Sequence, residues 1–229
     1  SKLQKSKKSI LLLGPRQTGK STLIRSLNPD LEINLADEET FYSYSSDPAR
    51  IKREILKKKR LFIDEIQRLP SLLNTLQVIL DTNKDLLFYL TGSSARKLKR
   101  GQANLLPGRI FSFELGPLCL DEIPGEANVA DLLRKGLLPE PFLSDDSDSW
   151  KKLLRTYAAT YLKEEIQAEA LTRNIEGFSR FFQVMASRSG DFCDISKYAS
   201  AAFVDRSTAR RFFFLLVDTL VLSSVEGFS

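Results

Sequence analysis

Histidine is absent from the 229 residues. That removes Ser-His and Cys-His nucleophilic catalysis and every histidine metal site. Cysteine is scarce: Cys119 and Cys193 are the two present, far apart in sequence, and no metal-ligand spacing exists. Reduced thiols in a cytoplasmic protein are therefore the expectation. No apolar run approaches the ~20 residues that cross a bilayer, so no membrane partner is expected. The Lys-rich N-terminus carries no secretory signal, because the apolar stretch after it reads as a first core strand. Internal repeats, long low-complexity segments and an N-K-x-D guanine-reading motif are also missing.

Hydrophobic residues make up 42% of the chain, enough for real cores and too many for disorder. The formal net charge is +5, mildly basic and compatible with either nucleic acid or a triphosphate. Its positive residues cluster as a tail (Lys2, Lys5, Lys7, Lys8), as Lys57-Lys58-Lys59-Arg60 and as Arg96-Lys97-Leu98-Lys99-Arg100. Such runs are more often solvated faces than contact surfaces.

The strongest signal is Gly14-Pro15-Arg16-Gln17-Thr18-Gly19-Lys20-Ser21, a complete G-x-x-x-x-G-K-[ST] phosphate-binding loop. Ile10 to Leu13 before it reads as a buried strand, and Ser21-Thr22-Leu23-Ile24 after it continues as a helix. A triphosphate is a dense negative charge, which backbone N–H groups and the positive end of a helix answer. Gly14 and Gly19 let the backbone wrap closely. Lys20 reaches the β- and γ-phosphates and the Ser21 hydroxyl ligates Mg²⁺, while Arg16 and Gln17 occupy the loop tip.

Leu61-Phe62-Ile63-Asp64-Glu65 is a short apolar strand ending in two carboxylates, the Walker B pattern. Asp64 is expected to hold the Mg²⁺ shell and Glu65 to activate the attacking water, which favours a hydrolase over a passive binder. A third strand, Leu86 to Leu90, runs into Thr91-Gly92-Ser93-Ser94. Ser93 or Ser94 is a candidate γ-phosphate sensor at the carboxyl edge of an α/β sheet. An ordinary cap for a helix starting at Ser94-Ala95-Arg96-Lys97 is the equal alternative.

Strands at Ile10–Leu13, Leu31–Leu35, Leu61–Asp64, Leu86–Leu90 and Arg109–Phe113 alternate with helices, one opened by Asp47-Pro48 and one by Pro70. The expected fold is α/β, a parallel sheet flanked by helices. The expected organisation is a basic tail at 1–9, a P-loop core at 10–118, a helical connector at 119–176 and a winged helix-turn-helix domain at 177–229. In the last, helices are expected at Phe178–Ser187, around Asp194–Ser200, and from Asp205 or Ser207 onward, followed by a short strand. Ala209, Phe212, Phe213 and Leu216 face inward there, and Ser207, Arg210, Arg211 and Phe214 outward. Arg206, Arg210 and Arg211 are DNA-contact candidates. Such units also serve as plain protein-binding modules, and an outward phenylalanine leans that way.

Taken in order, the loop, Phe62-Ile63-Asp64-Glu65-Ile66-Gln67-Arg68-Leu69-Pro70, Leu90-Thr91-Gly92-Ser93-Ser94-Ala95-Arg96-Lys97-Leu98 and Leu105-Leu106-Pro107-Gly108-Arg109 resemble a family. It is the bacterial and archaeal ATPases of the AAA+ superfamily, whose P-loop domain precedes a winged helix and a C-terminal domain of unknown function. The resemblance implies an AAA+/RecA-like P-loop NTPase with ATP and Mg²⁺ as cofactors, and the same roles for Lys20, Ser21, Asp64 and Glu65. It also draws attention to Arg109 as an arginine finger, in the same chain or across a subunit interface, against a strand-capping or Glu114-pairing role. Family members continue well past the winged helix, often into a nuclease-like domain, so a shortened member or a fragment is expected. The leading function is an Mg²⁺-dependent ATPase controlling its winged-helix module or a partner. An ATP-switched DNA-binding regulator with little hydrolysis and a nucleotide-dependent assembly protein, including a homo-oligomer, are the alternatives.

Overall fold

The computed structural model describes residues 6–93, 106, 108–123, 125, 128–168 and 174–225, with only the backbone of 161–168. The chain divides into two compact units, Ser1–Glu122 and Ile123–Ser229.

The first unit is a five-stranded sheet in the order β2-β3-β4-β1-β5. Its strands are β1 (Ser9–Leu13), β2 (Leu31–Asn34), β3 (Arg60–Asp64), β4 (Leu87–Gly92) and β5 (Ile110–Glu114), every pair parallel. Parallel sheets are covered on both faces, which is why β1, β3 and β4 read as near-continuous apolar runs. Ile10, Leu12, Phe62 and Tyr89 pack on one face with Ile24 and Leu27. Their neighbours Leu11, Leu13, Leu61, Ile63, Phe88 and Leu90 are equally buried.

Helix α1 (Lys20–Arg25) follows the loop and packs over β3 and β4. Helix α2 (Glu38–Ser46) has no counterpart in the sequence pattern. It is capped by Asp37, whose carboxylate accepts from the Thr40 amide at 2.8 Å, and it buries Tyr44 alone. A helix with so little apolar face gives no periodic signal. Helix α3 (Arg50–Glu54) begins where Asp47-Pro48 marks it but ends early, leaving Leu56 outside it and 71% exposed. Helix α4 (Leu72–Thr82) buries Leu72, Leu73, Leu76 and Ile79, as its spacing predicts.

The second unit has helices and no strands among its described residues. Helices α5 (Val129–Lys135), α6 (Pro139–Leu143) and α7 (Ser147–Ala168) lead to α8 (Ile175–Ser187), α9 (Ile195–Ala201) and α10 (Arg206–Asp218). Each of the last three opens on a side-chain cap: Asn174 to Gly177 N, Asp194 to Ser196 and Lys197 N, Asp205 to Thr208 N. Phe178, Phe181, Tyr198, Ala202, Ala209, Phe212, Leu215 and Leu216 close one core around the Phe178–Phe212 edge-to-face pair. Helical spacing puts Phe213 inside; in the structure it is half-buried against that core, and Leu215 is buried in it beside Phe212 and Leu216. Helices α9 and α10 are joined by Ala202–Asp205, with Arg206, Arg210, Arg211 and Phe214 exposed. Among the described residues this unit contains no strand; the expected winged domain extends to residues 226–229, which lie outside them.

Candidate functional site

Parallel pairing sends the carboxyl ends of β1, β3 and β4 to one edge of the sheet, and the polar residues that end those strands meet there. The loop leaves β1 at Leu13. The Gly14 amide donates to the Gly92 carbonyl of β4 at 3.2 Å, and Leu115 N donates to the Leu13 carbonyl at 2.8 Å. Gly14 is required by close approach: a Cβ there would lie 2.1 Å from the Leu115 carbonyl oxygen. Gln17 at the tip holds a left-handed backbone at φ 61°, and Gly19, with φ 86°, caps α1 through the Leu23 N–H to its carbonyl at 2.9 Å. The Thr18 hydroxyl donates to the Pro15 carbonyl at 2.9 Å and closes the loop on itself.

Lys20 is 5% exposed. Its ammonium donates to the Pro15 carbonyl at 2.5 Å, folded back against the loop. Burial pulls its pKa down from the ordinary lysine value, Glu65 and Asp64 pull it back up, and Arg16 lowers it slightly. The loop and the two carboxylates are therefore within electrostatic reach of one another, although they are distant in sequence. Helix α1 has six residues, so the loop amides and the Lys20 charge carry more of the attraction for anions than the helix dipole does. Ser21 and Thr22 open that helix, half-buried and exposed respectively.

Asp64 is 7% exposed and accepts a short hydrogen bond at Oδ1 from the Thr91 hydroxyl. The same Thr91 oxygen accepts the Glu65 amide at 3.3 Å, so one fully buried hydroxyl serves two consecutive residues. Glu65 sits in the left-handed region, φ 58° and ψ 44°, at the start of a 3-10 turn (Ile66–Arg68). For a glutamate that conformation costs about 1–2 kcal/mol, and the fold holds it. Arg68 pins the turn through its bonds to the Ala36 carbonyl (2.6 Å) and Glu38 (2.5 Å). The Glu65 carboxylate accepts a short bond from Gln67 Nε2, which also donates to Ser93 Oγ at 3.0 Å.

Lys20, Asp64, Glu65 and Ser93 thus share one edge. Ser94 and the helix expected after it lie outside the described residues, as do Lys2, Lys5 and the cluster 96–100. Arg109 is elsewhere: it precedes β5, whose Ile110 pairs with Ser9 at the amino end of β1. The length of β1 separates it from its own loop, and its Nε is 2.6 Å from Asp81 Oδ1. Thr91 and Gln67 are the residues that sequence reasoning missed. Their signal was weak, a threonine one place before the glycine and a glutamine two places after the carboxylate pair.

The donors fit Mg²⁺. Ser21 and Asp64 offer oxygen ligands only, and this hard cation is commonly held by one or two carboxylates together with substrate phosphates. Among the described residues no group of three or more acidic or cysteine side chains forms a complete protein cage. Replacing Thr91 with Val removes the donor to buried Asp64 and the acceptor for Glu65 N. The expected loss is about 1–3 kcal/mol of stability in urea denaturation; an unchanged midpoint would show that Asp64 does not depend on Thr91.

Residues 6–124 match the AAA domain family and residues 126–229 a domain of unknown function. Two uncharacterized proteins, from Mycobacterium bovis and Mycobacterium tuberculosis, are each 29% identical over 222 residues, 93% of this chain and 48% of theirs. The chain spans about half the length of the curated relatives it matches. Among solved structures, the replication initiator DnaA bound to AMPPCP and single-stranded DNA aligns with TM-score 0.44 and 12% identity, covering 93% of this chain and 83% of that one. A DNA polymerase III gamma subunit-related protein from Thermotoga maritima aligns with TM-score 0.34 and 12% identity, covering 96% of each chain. Similarity at those scores carries no argument about what this chain does. The family match spans the loop and the whole sheet edge just described: the chain belongs to the AAA domain family.

Proposed function

We propose that the chain is an Mg²⁺-dependent ATPase that uses nucleotide state to control its helix-turn-helix unit or a partner. The observation that carries this reading is the gathering of buried Lys20, buried Asp64 and strained Glu65 at one sheet edge. A passive phosphate site needs the loop and Lys20; it has no use for a second carboxylate beside Asp64. Hydrolysis does, because phosphoryl transfer needs a positioned water.

In the proposed reaction the loop amides and Lys20 bind the β- and γ-phosphates. Glu65 takes a proton from water as the water oxygen bonds to the γ-phosphorus. The bond from that phosphorus to the bridging oxygen breaks, and ADP leaves with the electron pair. Ser21 and Asp64 would hold Mg²⁺, which supplies charge neutralisation at the phosphate oxygens when bound.

Lys20→Ala is expected to abolish binding of a fluorescent ATP analogue. Glu65→Gln is expected to keep binding and lower kcat by about 10²–10⁴-fold. Wild-type turnover in Glu65→Gln would remove Glu65 from the chemistry; absence of MgATP turnover in the unaltered chain would remove the ATPase reading.

The lowered Lys20 pKa has a direction that titration tests. Only the protonated form attracts phosphate, so affinity should fall as pH rises through the lowered value, before the ordinary lysine value of 10.5 is reached. Calorimetric titration with MgATP across the alkaline range should show proton uptake on binding in that window. Affinity that stays flat up to the ordinary lysine range would mean that burial does not govern Lys20.

A second reading, ATP-switched DNA binding, is favoured by α10, whose Arg206, Arg210 and Arg211 are all exposed. Arg210 also lies 5.7 Å over the ring of Phe214, itself 46% exposed. If the arginines meet duplex phosphates, Arg210→Ala with Arg211→Ala should weaken binding. The slope of log K against log salt should then flatten by about 0.9 for each phosphate left without its arginine. An unchanged slope would leave α10 as a protein-facing helix.

A further inference from the structure

One buried group at the sheet edge has no part in the chemistry above. Gln67, on the 3-10 turn after Glu65, is 9% exposed. Its amide uses both donor directions at once: Nε2 donates to the Glu65 carboxylate and to Ser93 Oγ at 3.0 Å. Its Oε1 is buried without a partner. The β4 backbone closes that side, for a Cβ on Gly92 would lie 2.9 Å from Oε1.

This arrangement has a direction built into it. Turning the amide over would set its carbonyl oxygen against the Glu65 carboxylate, two acceptors facing each other. The ionised carboxylate therefore fixes which way the amide points. An orphaned buried acceptor is a substantial penalty. What offsets it is the charge-assisted bond to Glu65, about twice as strong as a neutral one. A glutamine serving only to fill space would not be held in the orientation that strands its oxygen. The Glu65 backbone adds a second constraint, since its left-handed conformation is tied to Thr91 through the amide. Main chain and side chain of Glu65 are thus both fastened to the end of β4, one through Thr91 and the other through Gln67 and Ser93.

We propose that Gln67 is a positioning residue: its amide aims the Glu65 carboxylate and links it to Ser93, so that a γ-phosphate arriving at the end of β4 resets the carboxylate. This rests on Glu65 acting as the base in ATP hydrolysis. While Gln67 occupies one Glu65 oxygen, the other is the one that faces an incoming water. Ser93 Oγ accepts from Nε2 and keeps its hydroxyl proton to donate to phosphate, so a shift of Ser93 toward the γ-phosphate draws the Gln67 amide with it. The amide carries the Glu65 carboxylate it holds to a new aim.

Gln67→Met tests this, because it keeps the length and approximate volume of the side chain and removes the donors and the orphaned oxygen together. The expected result is a fall in kcat of about tenfold or more, as misplacing a reacting group does, with the Kd for MgATP within about threefold of wild type. Acting through Glu65 has a further signature. In the Glu65→Gln background, adding Gln67→Met should leave the residual single-turnover rate unchanged, whereas a packing defect would lower it by the same factor in both backgrounds. Ser93→Ala should lower kcat in the same direction, and combined with Gln67→Met should cost little more than either alone. That variant also carries the test if Gln67→Met no longer melts cooperatively. Wild-type kcat in Gln67→Met, with Glu65→Gln inactive, overturns the positioning role and leaves the ATPase reading intact. Wild-type turnover in Glu65→Gln overturns Glu65 as the base, and the positioning role of Gln67 falls with it.

Discussion

The register between β1 and β4 places Leu12 opposite Thr91 and Leu13 opposite Gly92. The loop hangs from the end of this pair by the Gly14 N–H to the Gly92 carbonyl, and Asp64 leans on Thr91 from the neighbouring strand. Side chains alternate across a strand, so a slip of one residue would turn Thr91 to the other face and leave both Asp64 and Glu65 N without their shared hydroxyl. The slip is opposed by apolar burial on both faces. Ile10, Leu12, Phe62 and Tyr89 fill one side, and Leu11, Leu13, Ile63 and Leu90 the other. The polar groups at the edge are thus held in place by hydrophobic packing on both faces of the sheet.

That edge gathers charge in a place that penalises it. Desolvation weakens the hold of Lys20 on its proton, and the two carboxylates partly restore it. Isolated, each of these groups would be costly to bury; together they offset part of that cost. The ammonium reaches the Pro15 carbonyl, a neutral acceptor. A triphosphate offers a far stronger one, so the loop is arranged for exchange and the cost of burying Lys20 has been met in folding.

The loop and the Asp64-Glu65 pair were legible in the sequence because each is local: a few consecutive residues carry the whole signal. The helices around Phe178, Asp194 and Asp205 were legible for a similar reason, since a capping side chain and a helical stripe of apolar residues sit within a dozen positions of each other. Thr91 and Gln67 were not, because their meaning lies in which strand pairs with which, and no short segment encodes the order β2-β3-β4-β1-β5. Arg109 illustrates the same limit from the other side. It follows the third polar strand end in sequence and so invites a role there, yet parallel topology returns the chain to the amino edge of the sheet before β5 begins. Helix α2 escaped because a surface helix that buries one tyrosine has no stripe to read.

Glu65 occupies a backbone conformation that glycine or asparagine adopts more easily. Selection for folding alone would move such a position toward those residues, since relaxing the turn would make the protein more robust. If the proposed turnover holds, a chain released from selection on it has a downhill path out of catalysis that begins at this residue. On that reading the residue after the strand aspartate is where loss of turnover would first be written among relatives, ahead of any change in the loop.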